Sequence, residues 1–193
     1  SGLLATLSHE LPDAVELTEV FRQRDAGERE ASKWLRGGEE ADVSRAAEWY
    51  MHHDRLHAGS VTAMMDDALN GWREDTAAGK QSLLVAATRD QVTALNAAAQ
   101  KIRAERGEIN AENRLCLSDG LEAGVGDVVL TRRNDSKLIT SSGDMVRNGQ
   151  RWVVDSIGYD GSITARRCDD TSVTVTLNSD YLGKHAQLGY AAT

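Results

Sequence analysis

The spacing of apolar residues changes character twice along the 193 residues, and this constrains the fold more than any other feature. Up to Gly79 apolar side chains recur every three or four positions, the period of a helix with one buried stripe. Asp25 to Arg36 stops at Gly37-Gly38. Val43 to His53 places Ala46, Ala47, Tyr50 and Met51 on one stripe. Ser60 is an N-cap for a third helix, whose Val61, Met64, Met65, Ala68, Leu69 and Trp72 read as core. At Ser82 the style changes. Ser82-Leu83-Leu84-Val85-Ala86-Ala87 is a continuous apolar run, the mark of a strand buried on both faces. Thr88 then caps a helix reaching about Arg106, with Val92, Leu95, Ala99 and Ile102 inside. Ala14-Val15-Glu16-Leu17 is a second strand candidate. From about Gly126 the period becomes two. Short runs at 128–130, 152–154, 162–165 and 173–177 are separated by the turn signals Asn148-Gly149, Asp160-Gly161 and Asp169-Asp170. These spacings predict an α/β domain carrying a small antiparallel β-barrel insertion, with the apolar segment after Gln187 returning to the first sheet.

Charge is partitioned in the same way. The net charge is −8, but residues 1–80 hold 9 basic and 16 acidic groups, whereas residues 121–193 hold 8 and 9. An acidic total therefore does not exclude a nucleic-acid partner, because phosphate neutralisation needs local cations such as Arg132-Arg133 and Arg166-Arg167. The acidic helices before Ser82 are read as lying away from any DNA track. Cys116 and Cys168 form no CxxC, so neither a disulfide framework nor a zinc ribbon is indicated. No window approaches a membrane span and no secretory signal opens the chain, so membrane insertion is not expected and a cytoplasmic setting is. One proline against 17 glycines leaves the turns to Gly, Asn and Asp, and nothing in the sequence explains the deficit.

Signatures of chemistry are sparse. There is no GxxxxGK[ST], no GxGxxG after a strand and no acidic pair to hold magnesium, so no complete nucleoside-triphosphate site can be assembled. His52, His53 and His57 cluster without HExxH or further ligands, which favours structural histidines; no metal site is expected. GxSxG is absent. Leu17 to Gln23 delivers Arg22 from a strand end to a loop before a helix. The planar five-donor fork of Arg22 suits a phosphate supplied from elsewhere, with a solvated arginine as the alternative.

That segment, Leu17-Thr18-Glu19-Val20-Phe21-Arg22-Gln23, resembles motif IV of the RecD-like superfamily 1 helicases, with Leu35-Arg36-Gly37-Gly38 following as in that family. Leu83 to Asn96, Gly124 to Asp135, Val146 to Val154 and Leu188 to Thr193 are similar to later phrases of the same family, in the same order. In detail they look most like the helicase half of conjugative relaxase-helicases of the TraA/TrwC/MobF type. The resemblance implies a piece of a longer enzyme: a partial RecA-like motor domain 2A (residues 1–122), an inserted SH3-like barrel 2B (123–183) and a returning strand of 2A (184–193). It implies that Arg22, with Gln23, contacts the ATP γ-phosphate in the parent. It also implies that Thr88, Arg132, Arg133, Asn134 and Thr193 meet DNA. Trp152 reads as barrel core, with a base-stacking platform as the alternative. The parent would use ATP and magnesium to move along single-stranded DNA during plasmid transfer, its partners being the remaining motor domain and a relaxase domain of the same chain. The piece alone is expected to bind no cofactor and to hydrolyse no ATP. Two alternatives stay open: a non-enzymatic SH3-like module binding DNA or protein, and a RecD-type repair helicase or exonuclease subunit.

Overall fold

A computed structural model describes residues 23–110 and 112–193, so Arg22 and the strand candidate at Ala14–Leu17 lie outside the described residues. The chain divides into two compact units, after Gly59. The first holds a helical hairpin. Helix α1, Ala26–Gly37, starts because the Asp25 carboxylate accepts the Glu28 N–H at 2.8 Å. It stops at Gly38, whose φ of 73° returns its N–H to the Trp34 carbonyl. Helix α2, Glu40–His52, begins three residues earlier than the apolar stripe predicts, because Glu40 and Asp42 in its first turn favour the positive end of the helix dipole. Ala31 and Ala46 are fully buried, while Met51 of the expected stripe is exposed. The Arg45 guanidinium lies 4.0 Å above the Trp34 ring, and the His53 imidazole stacks on Trp49 at 3.9 Å.

The second unit opens with α3, Val61–Ala77, capped by Ser60, whose hydroxyl accepts the Ala63 N–H. Trp72 of the expected stripe is buried, and Met65 and Leu69 pack on the core. Val61 and Ala68 face solvent. Strand β1 is only Leu84–Val85, and it pairs in parallel with a late strand, β11, Ala191–Ala192. The expectation of burial on both faces is corrected here: Leu84 is buried but Val85 is 72% exposed. The covered face is the one carrying helix α4, Arg89–Glu105, which is closed at its N-terminus by a reciprocal capping box of Thr88 and Gln91.

The antiparallel part has more strands than the sequence pattern shows. Hairpins β2 (Arg114–Cys116) with β3 (Glu122–Gly124), and β5 (Asp135–Ile139) with β6 (Met145–Val146), flank a five-stranded sheet. That sheet runs in the order β10 (Ala186–Leu188), β4 (Val128–Thr131), β7 (Arg151–Ile157), β8 (Ile163–Arg167), β9 (Thr174–Leu177). Strands β10 and β9 are its edges. A register shift between Val154 and Ser156 bulges β7 at Asp155, whose carboxylate pairs with Arg166. Residues 184–193 serve two sheets: Ala186–Leu188 hydrogen-bonds to β4, and only Ala191–Ala192 returns to β1. Gly126, at φ 92°, has the Glu108 carbonyl oxygen 2.3 Å from where a Cβ would sit, so no other residue fits this corner. Trp152 is fully buried, which places it in the sheet core and removes it as a stacking platform.

A polar seam joins α4 to these strands. Buried Asn96 accepts the Tyr190 and Ala191 N–H groups on its Oδ1, at 3.0 and 2.8 Å. Buried Asp127 accepts from Gln100 Nε2 and Gly124 N, both at 2.8 Å, and from the Tyr190 hydroxyl at 2.5 Å. Arg103 Nη1 donates to the Gly126 carbonyl and to Tyr190. Burial, then the charge of Asp127, pushes the Tyr190 phenol far above its ordinary range. Burial works against the Arg103 cation, but Tyr190 and Glu108 outweigh it and its pKa is raised.

Candidate nucleic-acid interface

Parallel strands bring their carboxyl ends to the same edge, and ligands of α/β sheets bind outside that edge. Here β1 leads through Thr88 into Arg89, and β11 leads into Thr193. Between them and the antiparallel sheet lies a cleft of about 360 Å³ lined by Arg89, Arg132, Lys184, His185 and Thr193. Its one lining carboxylate, Asp119, is occupied by the backbone N–H groups of Leu121 and Leu188. Lys184 pairs with Asp180. The guanidinium groups of Arg89 and Arg132 have no ion pair among the described residues, and both residues are exposed. An adjoining cleft of about 480 Å³ is lined by Arg133, Asn134, Lys137, Tyr181 and again His185.

The segment carrying the three expected barrel residues is held rigidly. The Arg132 N–H donates to the His185 carbonyl at 2.8 Å. The Arg133 carbonyl accepts the Tyr181 hydroxyl, and its guanidinium lies 3.0 Å from His185 Nε2. Because arginine has no acceptor, a hydrogen bond there has Nε2 as the acceptor. Asn134 Oδ1 accepts the Asn148 N–H at 2.7 Å, tying the segment to the Asn148-Gly149 turn. Desolvation raises the pKa of Tyr181, keeping its hydroxyl a donor.

Most of these contacts come from a helix that the apolar spacing does not reveal, α5, Ser179–His185. Seven residues are too few for a periodic stripe. The signal was in its ends: Asn178, whose Oδ1 accepts the Tyr181 N–H, Asp180 in the first turn, and Lys184-His185 in the last. Arg89, Lys184 and His185 are therefore cleft residues that sequence reasoning did not single out.

The residues expected to meet DNA lie in different places. Arg132 and Thr193 share the first cleft, while Arg133 and Asn134 share the second. Thr88 lines neither; its hydroxyl oxygen accepts the Gln91 N–H and begins the helix that presents Arg89. Gln23 belongs to the other unit, where its carbonyl accepts Arg29 Nη1 and its buried Oε1 has no hydrogen-bond partner among the described residues. Arg22 lies outside the described residues. Among the histidines, His57 Nε2 lies 3.5 Å from Asp54, and no cluster of three metal-ligating side chains occurs among the described residues. No described helix is long and apolar enough to cross a membrane.

Comparison with known families gives two matches. Residues 1–61 match an AAA domain, and residues 115–187 match the Rv2311 SH3-like barrel domain. The first corresponds closely to the first compact unit, and the second holds the five-stranded sheet apart from the end of β10. Together they support a helicase-like, nucleotide-binding segment followed by an SH3-like domain. No curated protein and no solved structure matches the chain.

Proposed function

We propose that the chain serves an ATP-dependent DNA motor of the RecD-like helicase type, in the conjugative relaxase-helicase branch, acting in the cytoplasm on single-stranded plasmid DNA. Residues 1–122 and the returning strand contribute part of a RecA-like motor domain, and the strands between form its SH3-like barrel. Arg22, assisted by Gln23, reaches the γ-phosphate of an ATP whose cradle and magnesium are supplied by a preceding motor domain. The observation that carries the DNA side of this reading is the pair of exposed arginines, Arg89 and Arg132, without an ion pair among the described residues and in one cleft with Thr193 at the carboxyl edge of β1 and β11. Exposed guanidinium groups without carboxylate partners are free to bind phosphate oxygens. Arg133, Lys137 and Asn134 continue the track, and Thr88, exposed at the start of α4, adds its hydroxyl beside Arg89.

ATP chemistry needs the phosphate cradle and a held magnesium as well as the sensing arginine. The chain by itself is therefore expected to show no ATPase above background, with or without single-stranded DNA. Measured turnover would overturn the proposal. In the parent enzyme, Arg22→Ala lowers kcat for ATP strongly and leaves DNA affinity nearly unchanged; unchanged kcat removes Arg22 from the site. Binding of DNA without any motor in the parent would favour a plain SH3-like binding module instead.

A further inference from the structure

At the other end of α4, about 25 Å away for 17 residues at 1.5 Å each, lies a larger cleft of about 540 Å³. It falls wholly within the second unit and owes nothing to the helicase reading. Its walls carry five cations, Lys80, Arg103, Arg106, Arg151 and Arg166. Three carboxylates answer four of them: Asp75 takes Lys80, Asp155 takes Arg166, and Glu108 takes both Arg103 and Arg106. Arg151 has no ion pair among the described residues, and the set carries two positive charges in excess.

Two buried donors in this wall are also unsatisfied. Arg151 Nε and the indole Nε1 of Trp72 have no hydrogen-bond partner among the described residues, although Trp72 is only 4% exposed. A buried N–H left unpaired is costly, so this wall gains from an acceptor brought close to it. The remaining lining includes the apolar Val128 and Val153 and the edge-to-face pair of Trp72 with Tyr190. The volume equals roughly 18 waters at about 30 Å³ each, more than a bare phosphate ion occupies, and lies within the usual range for small-ligand sites.

We infer that this cleft binds a phosphate monoester carried on an organic body, either a free mononucleotide or the 5′-phosphorylated end of a nucleic-acid strand. The dianion matches the excess of two positive charges, the Arg151 guanidinium donates to its oxygens, and the apolar wall takes the attached group.

The test is titration of the whole chain with four probes: thymidine 5′-monophosphate, inorganic phosphate, and oligothymidylate with a 5′-phosphate or a 5′-hydroxyl. The readout is the Trp72 indole N–H resonance, assigned with Trp72→Phe. The monophosphate, the 5′-phosphorylated strand or both are expected to shift it saturably, and which one binds more tightly identifies the source. Arg151→Gln is expected to weaken that binding at least about tenfold, as for loss of one charged donor, with the melting temperature unchanged. If that variant fails to fold, Lys80→Gln, at a side chain 67% exposed, replaces it with a smaller expected loss. No shift with either ester overturns the inference. So does a response to inorganic phosphate alone, equal binding by the 5′-hydroxyl strand, or undiminished affinity in the folded variants.

Discussion

The seam under α4 and the rim at its N-terminal end use similar side chains to opposite effect. In the seam Asn96, Gln100, Asp127 and Tyr190 are buried and connected donor to acceptor, with Arg103 tied to Tyr190 and Glu108. At the rim Arg89 and Arg132 are exposed and have no ion pair among the described residues. A buried polar group must be matched within the fold, so the seam specifies how helix and strands meet. An exposed cation has no such obligation, so the rim can await a ligand. Substitutions in the seam should therefore move stability and leave binding to the survivors, whereas substitutions at the rim should do the reverse.

The sharpest break is Asp127→Ala. It removes the acceptor of the Gly124 N–H and of the Tyr190 hydroxyl in the interior and leaves Gln100 Nε2 only its bond to the Glu122 carbonyl. The expected loss is about 3–5 kcal/mol, as for one partner removed from a buried charged network, or roughly 6–20 °C in melting temperature for a chain of this size. Thermal unfolding by circular dichroism measures it; a drop under about 1 kcal/mol would mean that the seam is not what holds α4. Asn96→Ala comes next, because it unpairs the Tyr190 and Ala191 N–H groups at once. About 2–4 kcal/mol is expected from denaturant unfolding, at 1–2 kcal/mol for each amide.

Little of this seam was legible in the sequence, and the reason is physical. Asn96 and Gln100 sit one position beyond the apolar stripe members Leu95 and Ala99, where a polar residue reads as the solvent side. Their partners lie 22 to 95 residues away, beyond any local pattern. Helices α1, α3 and α4 were legible because the caps Asp25, Ser60 and Thr88 mark them chemically, whereas α2, with no side-chain cap, was legible only from its stripe and its start was misplaced. The two- and three-residue strands β2, β3 and β6 are too short for alternation to register, and β5 pairs through a register shift. The run at Ser82 was legible as a strand but misleading about burial, since an apolar run does not say how many layers cover it. At the rim, Arg132, Arg133, Asn134 and Thr193 were expected from the family resemblance. Arg89 and His185 needed the fold, because only the meeting of β1, β11 and α5 puts them beside those residues.

Titration separates the seam from the rim in another way. The Tyr190 phenol is raised in the folded protein, so the folded state holds its proton more tightly than the unfolded chain does. That contribution is complete below the unfolded value near 10 and is lost as pH rises above it. Stability should fall above about pH 10 with a slope approaching 1.4 kcal/mol per pH unit from this group. Tyr190→Phe should be less stable at neutral pH, having lost the bond to Asp127, yet fall more gently through the alkaline range. Equal alkaline slopes would show that Tyr190 is not the titrating group.

The smallest effects belong to the rim, where they are also the most diagnostic. Arg89→Ala or Arg132→Ala removes one exposed cation that no carboxylate answers, so neither should alter the melting temperature measurably. Each should weaken binding of a single-stranded oligonucleotide by about 0.5–1 kcal/mol, roughly two- to fivefold. The stronger signature is the salt dependence. Removing one phosphate-neutralising cation should reduce the slope of log affinity against log salt by about 0.7. The two arginines share no hydrogen-bond partner, so the double variant should approach the sum of the singles. Fluorescence anisotropy across a salt series measures both quantities. An unchanged slope in the double variant, with the fold intact, would place the nucleic acid elsewhere on the molecule and leave these arginines as solvated charges.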